Sequence, residues 1–186
     1  MAKLFMLLIG ASPPNRHIEQ HDIFFGIADS IKELVPAIQS FWPEAKDKIH
    51  IDAWREITIL DNHKISIVSA NDSQPLSGPR LFFINLGGYK AGEFEEFHYK
   101  MIIAANDKGE AITKAKNTAF FKHTGFKGAT SHVDDKYGVD VDDLYEIRDI
   151  IPPAMKQAYK IVVSPADGPA QEDELHLGYF KLASFL

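Results

Sequence analysis

Residues Lys3 to Val35 lie over Arg80 to Ile112 without a gap, at the constant spacing that separates Leu4 from Leu81. Phe5/Phe82, Gly10/Gly87, Glu19/Glu96, His21/His98, Ala28/Ala105 and Glu33/Glu110 are identical across the two stretches, and Lys3/Arg80, Leu7/Ile84, Ile9/Leu86 and Asp29/Asn106 are similar. An internal period of this length predicts one structural plan written twice. The polar pair copied with it, Glu-x-His, is the first place to look for chemistry.

Each copy opens with an apolar run, near 3–9 and 80–86, that stops at Gly10 or at Gly87-Gly88. Both read as strands entering a turn, the first built on Ser12-Pro-Pro-Asn15 and the second on Lys90-Ala-Gly92. A second strand follows, near Ile18 to Ala28 and Glu95 to Ala105, and then a helix. Ser30-x-x-Glu33 and Asp107-x-x-Glu110 carry the spacing of a capping box, and Ile31, Leu34, Val35, Ile38, Phe41 and Trp42 keep the helical period. Pro36 would kink or shorten the first helix. Two more strands per copy are expected, near 49–59 and 64–70, then near 139–148 and 159–164.

The expected fold is therefore α+β, a tandem duplication of a ββαββ unit with antiparallel sheets and packed helices, fused into one body. The first unit is expected over 1–75, the second over 79–166, and a C-terminal loop with a closing strand over 167–186. Asn71 to Pro79 is the linker. The apolar ending Leu175 to Leu186 is read as a ninth strand that extends a sheet or covers an edge, or as a homo-oligomer contact.

Composition narrows the function classes. The chain has 186 residues, 45% hydrophobic and 25% charged, values ordinary for a soluble globular protein. A net charge of −6, from 20 Lys+Arg against 26 Asp+Glu, argues against a nucleic-acid surface. No apolar run approaches the roughly 20 residues of a spanning helix, so a membrane is not an expected partner either. The absence of cysteine excludes disulfides, thiolate nucleophiles and cysteine-based zinc sites. Met1 to Ser12 has the cation and apolar run of a short secretory signal, but its copy Arg80 to Gly88 stands in mid-chain, so a cytoplasmic protein is expected.

Glu19 and His21 are two apart on a strand and share a face, as do Glu96 and His98. That face continues through Ile23, Phe25 and Ile27, so the pair ends an otherwise apolar row. A second pattern, His50-Ile-Asp52 and His132-Val-Asp134, stands after each helix at the start of a strand. With Ile49, Ile51, Ile57 and Ile59 on the opposite face, His50, Asp52 and Trp54 point away from that side unless a bulge changes the phase. If the patterns meet, each copy holds two imidazoles and two carboxylates, enough for a divalent metal without thiolates.

Three uses of these residues stay open: a hydrogen-bonded cluster that pins the turn, contact with a small-molecule ligand, and metal ligation by Glu19, His21, His50 and Asp52. They correspond to an interaction or binding module, a metal-assisted hydrolase, or a structural, self-associating protein. Phosphate-loop, nucleophile-elbow, H-E-x-x-H and dinucleotide motifs are absent from the sequence. Lys122 to Ser131, with its glycines and cations, reads as an insertion. His17, His63, His123 and His176 have no copied partner and are expected on loops or the surface.

The strand to Gly10, Ile18-Glu-Gln-His-Asp22, Phe25-x-x-Ala-Asp-Ser-Ile31 and His50-Ile-Asp-Ala-Trp54 together resemble the bacterial family known as domain of unknown function 1543, present here as two copies. The resemblance covers roughly the first 55 residues and, more loosely, Arg80 to Ile147. It implies a soluble bacterial protein and carries no activity with it. Tyr99 stands where the first copy has Asp22, and Lys136 where it has Trp54, which places any activity in the first copy.

Overall fold

Strand β1 (Lys3–Ala11) is apolar on both faces and is central because both of its edges are paired. β2 (Gln20–Ala28) runs antiparallel to it with Leu7 opposite Phe24 and Gly10 opposite His21. The chain then enters helix α1 (Ile31–Phe41). Ser30 takes the extended cap conformation without a side-chain bond, and Glu33 instead reaches back to accept from the Asp29 amide at 3.1 Å. Pro36 lies inside the helix, where it removes one amide without ending it. Leu34, Val35 and Ile38 are buried against Phe5, Leu7, Ile9 and Phe24, the face of the sheet that carries the core.

A 3₁₀ turn (Pro43–Lys48) leads to β3 (His50–Ile57), which pairs with the other edge of β1. Short β4 (Ile59–Leu60) and β5 (His63–Ser69) follow. In the next stretch β6 (Arg80–Tyr89) pairs β7 (Glu96–Ala105) on one side and β8 (Val139–Glu146) on the other. Helix α2 (Lys108–Lys116) places Ala111 and Ala115 in a core with Phe82, Ile84, Leu86 and Ile103. Its cap is complete: Asp107 accepts from the Glu110 amide at 2.9 Å. Two short helices, α3 (Ile147–Ile150) and α4 (Pro153–Ala158), precede β9 (Tyr159–Pro165) and β10 (His176–Lys181).

The computed structural model describes residues 1–73, 76, 78–89, 92–118, 139–168, 171 and 173–185, excepting the side chains of 46, 47, 139 and 140. His132, Asp134 and the stretch from Lys122 to Ser131 lie outside the described residues. Among the described residues no helix is long and apolar enough to cross a membrane.

The protein is mixed α+β with antiparallel sheets, in the orders β10-β3-β1-β2, β4-β5-β9 and β7-β6-β8. The chain divides into two units, one of Met1–Ser77 with Ile150–Leu186, the other of Gly78–Asp149. This differs from two successive ββαββ units. The strand expected to close the second copy, β9, pairs instead with β5 from Ser69↔Tyr159 to His63↔Pro165, so both fourth strands belong to the first unit. The similarity of Lys64-Ile and Lys160-Ile marks two partners in one ladder, in which side-chain pairing across strands decides the company a strand keeps. The C-terminal segment does become a strand: β10 adds to β3.

Candidate functional site

Gly10 stands between His21 on β2 and His50 on β3, directly opposite both. Immediately after it the β1–β3 register slips: Ile9 faces Ile51, whereas Leu8 faces Ala53, leaving Asp52 as the extra residue of a β-bulge. The bulge returns Trp54 to the core face, where its ring lies 6.4 Å from Phe5, and puts Ile57 opposite Leu4. The single uninterrupted apolar face expected for Ile49 to Ile59 is thus broken at Asp52. His50 and Asp52 consequently turn toward the face that holds Glu19 and His21.

The four side chains meet. His50 Nε2 is 3.1 Å from Glu19 Oε1 and 3.3 Å from Asp52 Oδ1, while His21 Nε2 is 3.3 Å from Asp52 Oδ2 and 3.8 Å from Glu19 Oε2. His50 is 3% exposed, whereas Glu19 and His21 are open to solvent. The space they occupy exists because residue 10 has no side chain: a Cβ there would fall 2.5 Å from His50 Nε2 and 2.6 Å from Asp52 Oδ2.

His50 Nδ1 faces the Lys48 carbonyl at 3.4 Å, and because a carbonyl only accepts, a hydrogen bond there has the imidazole as its donor. Nε2 faces the two carboxylates, yet Nε2 and Asp52 Oδ2 are both buried without a hydrogen-bond partner among the described residues. A backbone carbonyl on the far nitrogen is a usual support of a ligating imidazole.

The C-terminal strand closes one side. Register between β10 and β3 shifts from Leu177↔Ala53 to Phe180↔Ile51, and Gly178 in between adopts φ +149, which favours glycine. Tyr179 is thereby laid over His50, ring centroids 4.3 Å apart. His176, expected on a loop or the surface, sits on this strand and stacks on Trp54 at 3.8 Å. Asp173 anchors the approach by accepting from the Thr58 and Ile59 amides at 2.9 and 3.2 Å. Nothing in the local pattern of residues 173 to 181 points to the site, because their role depends on which strand they join.

The Gly78–Asp149 unit carries a related arrangement. Gly87 faces His98 and the backbone of Asp140, and Asp142 is the bulge residue between Leu86↔Val141 and Asn85↔Asp143. Asp140-Val-Asp142 therefore occupies the strand position of His50-Ile-Asp52, the place expected for His132-Val-Asp134. His98 Nε2 is 3.3 Å from Asp142 Oδ2, and Glu96, His98 and Asp142 offer ligand atoms all within 4.8 Å of one another. The Tyr89 hydroxyl donates to Glu96, which with burial and the charges of Glu96 and Asp142 raises its pKa above the ordinary tyrosine value.

Fold and geometry define a class: an antiparallel α+β protein with a histidine and carboxylate cluster at the mouth of its central strands. Residues 16–67, which contain all four cluster residues of the first unit, match the family model described as Domain of Unknown Function (DUF1543). A protein Il1583 from Idiomarina loihiensis, solved as a crystal structure, is similar with a TM-score of 0.65 and 22% identity over 98% of this chain and 99% of that one. At that identity the likeness is one of fold. No curated protein matches the chain.

Proposed function

We propose that the first unit is a divalent-metal centre for small-molecule chemistry, with His21, His50 and Asp52 as ligands and Glu19 beside them. The observation that carries this reading is the buried His50 Nε2, which faces two carboxylates at 3.1 and 3.3 Å without a hydrogen bond while its Nδ1 faces the Lys48 carbonyl. Two nitrogens and an oxygen suit Zn, Ni, Mn or Fe rather than Mg or Ca.

Three protein ligands leave a coordination position open, the pattern of catalytic sites, and metal-assisted hydrolysis is the activity that fits. A bound ion of this type lowers the pKa of a coordinated water toward neutrality. Glu19, 43% exposed, is the carboxylate placed to take a proton at Oε2 from water, while His50 is fixed by burial and Asp52 is half-buried. The similar plan of the Gly78–Asp149 unit favours a duplicated origin, with the hydrolytic centre kept in the first unit. A bacterial, cytoplasmic setting is part of the same proposal.

Metal analysis of protein purified without a histidine tag tests the reading. The expected result is one tightly held transition metal per first unit and a higher melting temperature on adding Zn, Mn or Ni to stripped protein. A preparation that is metal-free and neither binds nor is stabilised by any of the three overturns it and returns the cluster to a purely structural role.

A further inference from the structure

A cavity of about 570 Å³ adjoins the cluster and shares Glu19 and His50 with it. Its volume lies in the range of small-molecule sites. Lys48 and Lys181 both line it, and among the described residues neither ammonium has an ion-pair partner. Glu19 is the only carboxylate on its described wall, so two cations face one anion in a chain whose net charge is −6. Local charge opposite in sign to the whole molecule marks a place where anions are concentrated.

The remaining wall has two characters. Ser12 and Tyr179 bring hydroxyls, while Val35, Ile49 and Leu182 bring an apolar side. Tyr179 and Lys181 come from β10, so the cavity is completed only when the C-terminal strand is in place.

We infer that this cavity binds a small oxyanion with an apolar body, its carboxylate or phosphate group held by Lys48 and Lys181 beside the His50 cluster. The inference rests on the metal-centre reading for what the oxyanion meets there. The lysine pair supplies charge that the cluster itself lacks, and Val35, Ile49 and Leu182 offer the apolar remainder a dry surface.

Calorimetric titration with inorganic phosphate and, separately, with benzoate tests it, run on metal-loaded and metal-stripped full-length protein. At least one anion is expected to bind in the millimolar range or tighter, more weakly at high salt. Lys48→Met and Lys181→Met should each weaken it about tenfold or more, because each removes a charge-assisted contact. Phosphate alone binding identifies a phosphate group as the recognised end, and benzoate alone a carboxylate.

Metal content of Lys181→Met is read in parallel and should be unchanged, since Lys181 neither ligates nor supports the cluster. Anion binding that both lysine variants retain at full strength, or no binding of either anion to any form, overturns the inference even if metal is bound. Lysine-dependent anion binding in a protein that takes no metal upholds the oxyanion cavity and removes the metal centre.

Discussion

Gly10 faces His50 across the β1–β3 pair, and the space above its Cα is filled by the His50 imidazole. Gly10→Ala should therefore push His50 and Asp52 out of register with Glu19 and His21. The expected cost is about 1–3 kcal/mol of stability, the usual range for overpacking a buried site. Metal affinity should fall at the same time. Denaturant unfolding and a zinc titration on the same preparation check both.

Removing a ligand separates the two units. His50→Ala should lower the affinity of the first site by well over about tenfold, since even supporting groups are worth that much. His98→Ala should leave that site intact and affect only the Glu96, His98 and Asp142 group, which is richer in oxygen and should prefer Mn to Zn. Competition between Zn and Mn in each variant, read as metal per protein, decides the assignment.

Asp173 ties the start of the C-terminal strand to the end of β3 through the Thr58 and Ile59 amides. Asp173→Ala should loosen β10 and expose His50 by lifting Tyr179, with a loss of about 1 kcal/mol, since the Thr58 amide is exposed and the Ile59 amide half-buried. Faster hydrogen exchange at residues 176–181, with β1 and β2 unchanged, is the expected signature.

Helix α2 is pH-sensitive at its start. Glu110 is ion-paired with Lys114 at 2.8 Å and accepts from the Asn106 amide and side chain, and these contacts, Lys114 first, lower its pKa from 4.5 to about 2. A carboxylate depressed in the folded state contributes stability above its unfolded pKa and loses it as pH falls through the folded value. The advantage of wild type over Glu110→Gln should be complete above about pH 4.5 and fade toward pH 2, as read from denaturation midpoints across that window.

The cap of the same helix gives an independent check. Asp107→Ala leaves the Glu110 amide without its acceptor and should cost about 1 kcal/mol. Asp107→Asn should restore most of it, which separates the hydrogen bond from the charge.

Strands β1, β2, β6 and β7, helices α1 and α2 and the shared face of Glu19 and His21 follow from the amino-acid order, because alternation and helical period are local properties, whereas the short helices α3 and α4 carry no such period. The meeting of His50 and Asp52 with that pair was decided by tertiary structure. One extra residue at Asp52 reverses the phase of β3, and a bulge is a property of the pairing between two strands. The second ladder slips in the same way, with the backbone of Asp140 opposite Gly87 and Asp142 as the extra residue. Pairing also brought β9 to β5 and laid Tyr179 and Lys181 beside the cluster, contacts between residues far apart in the chain that no local pattern encodes.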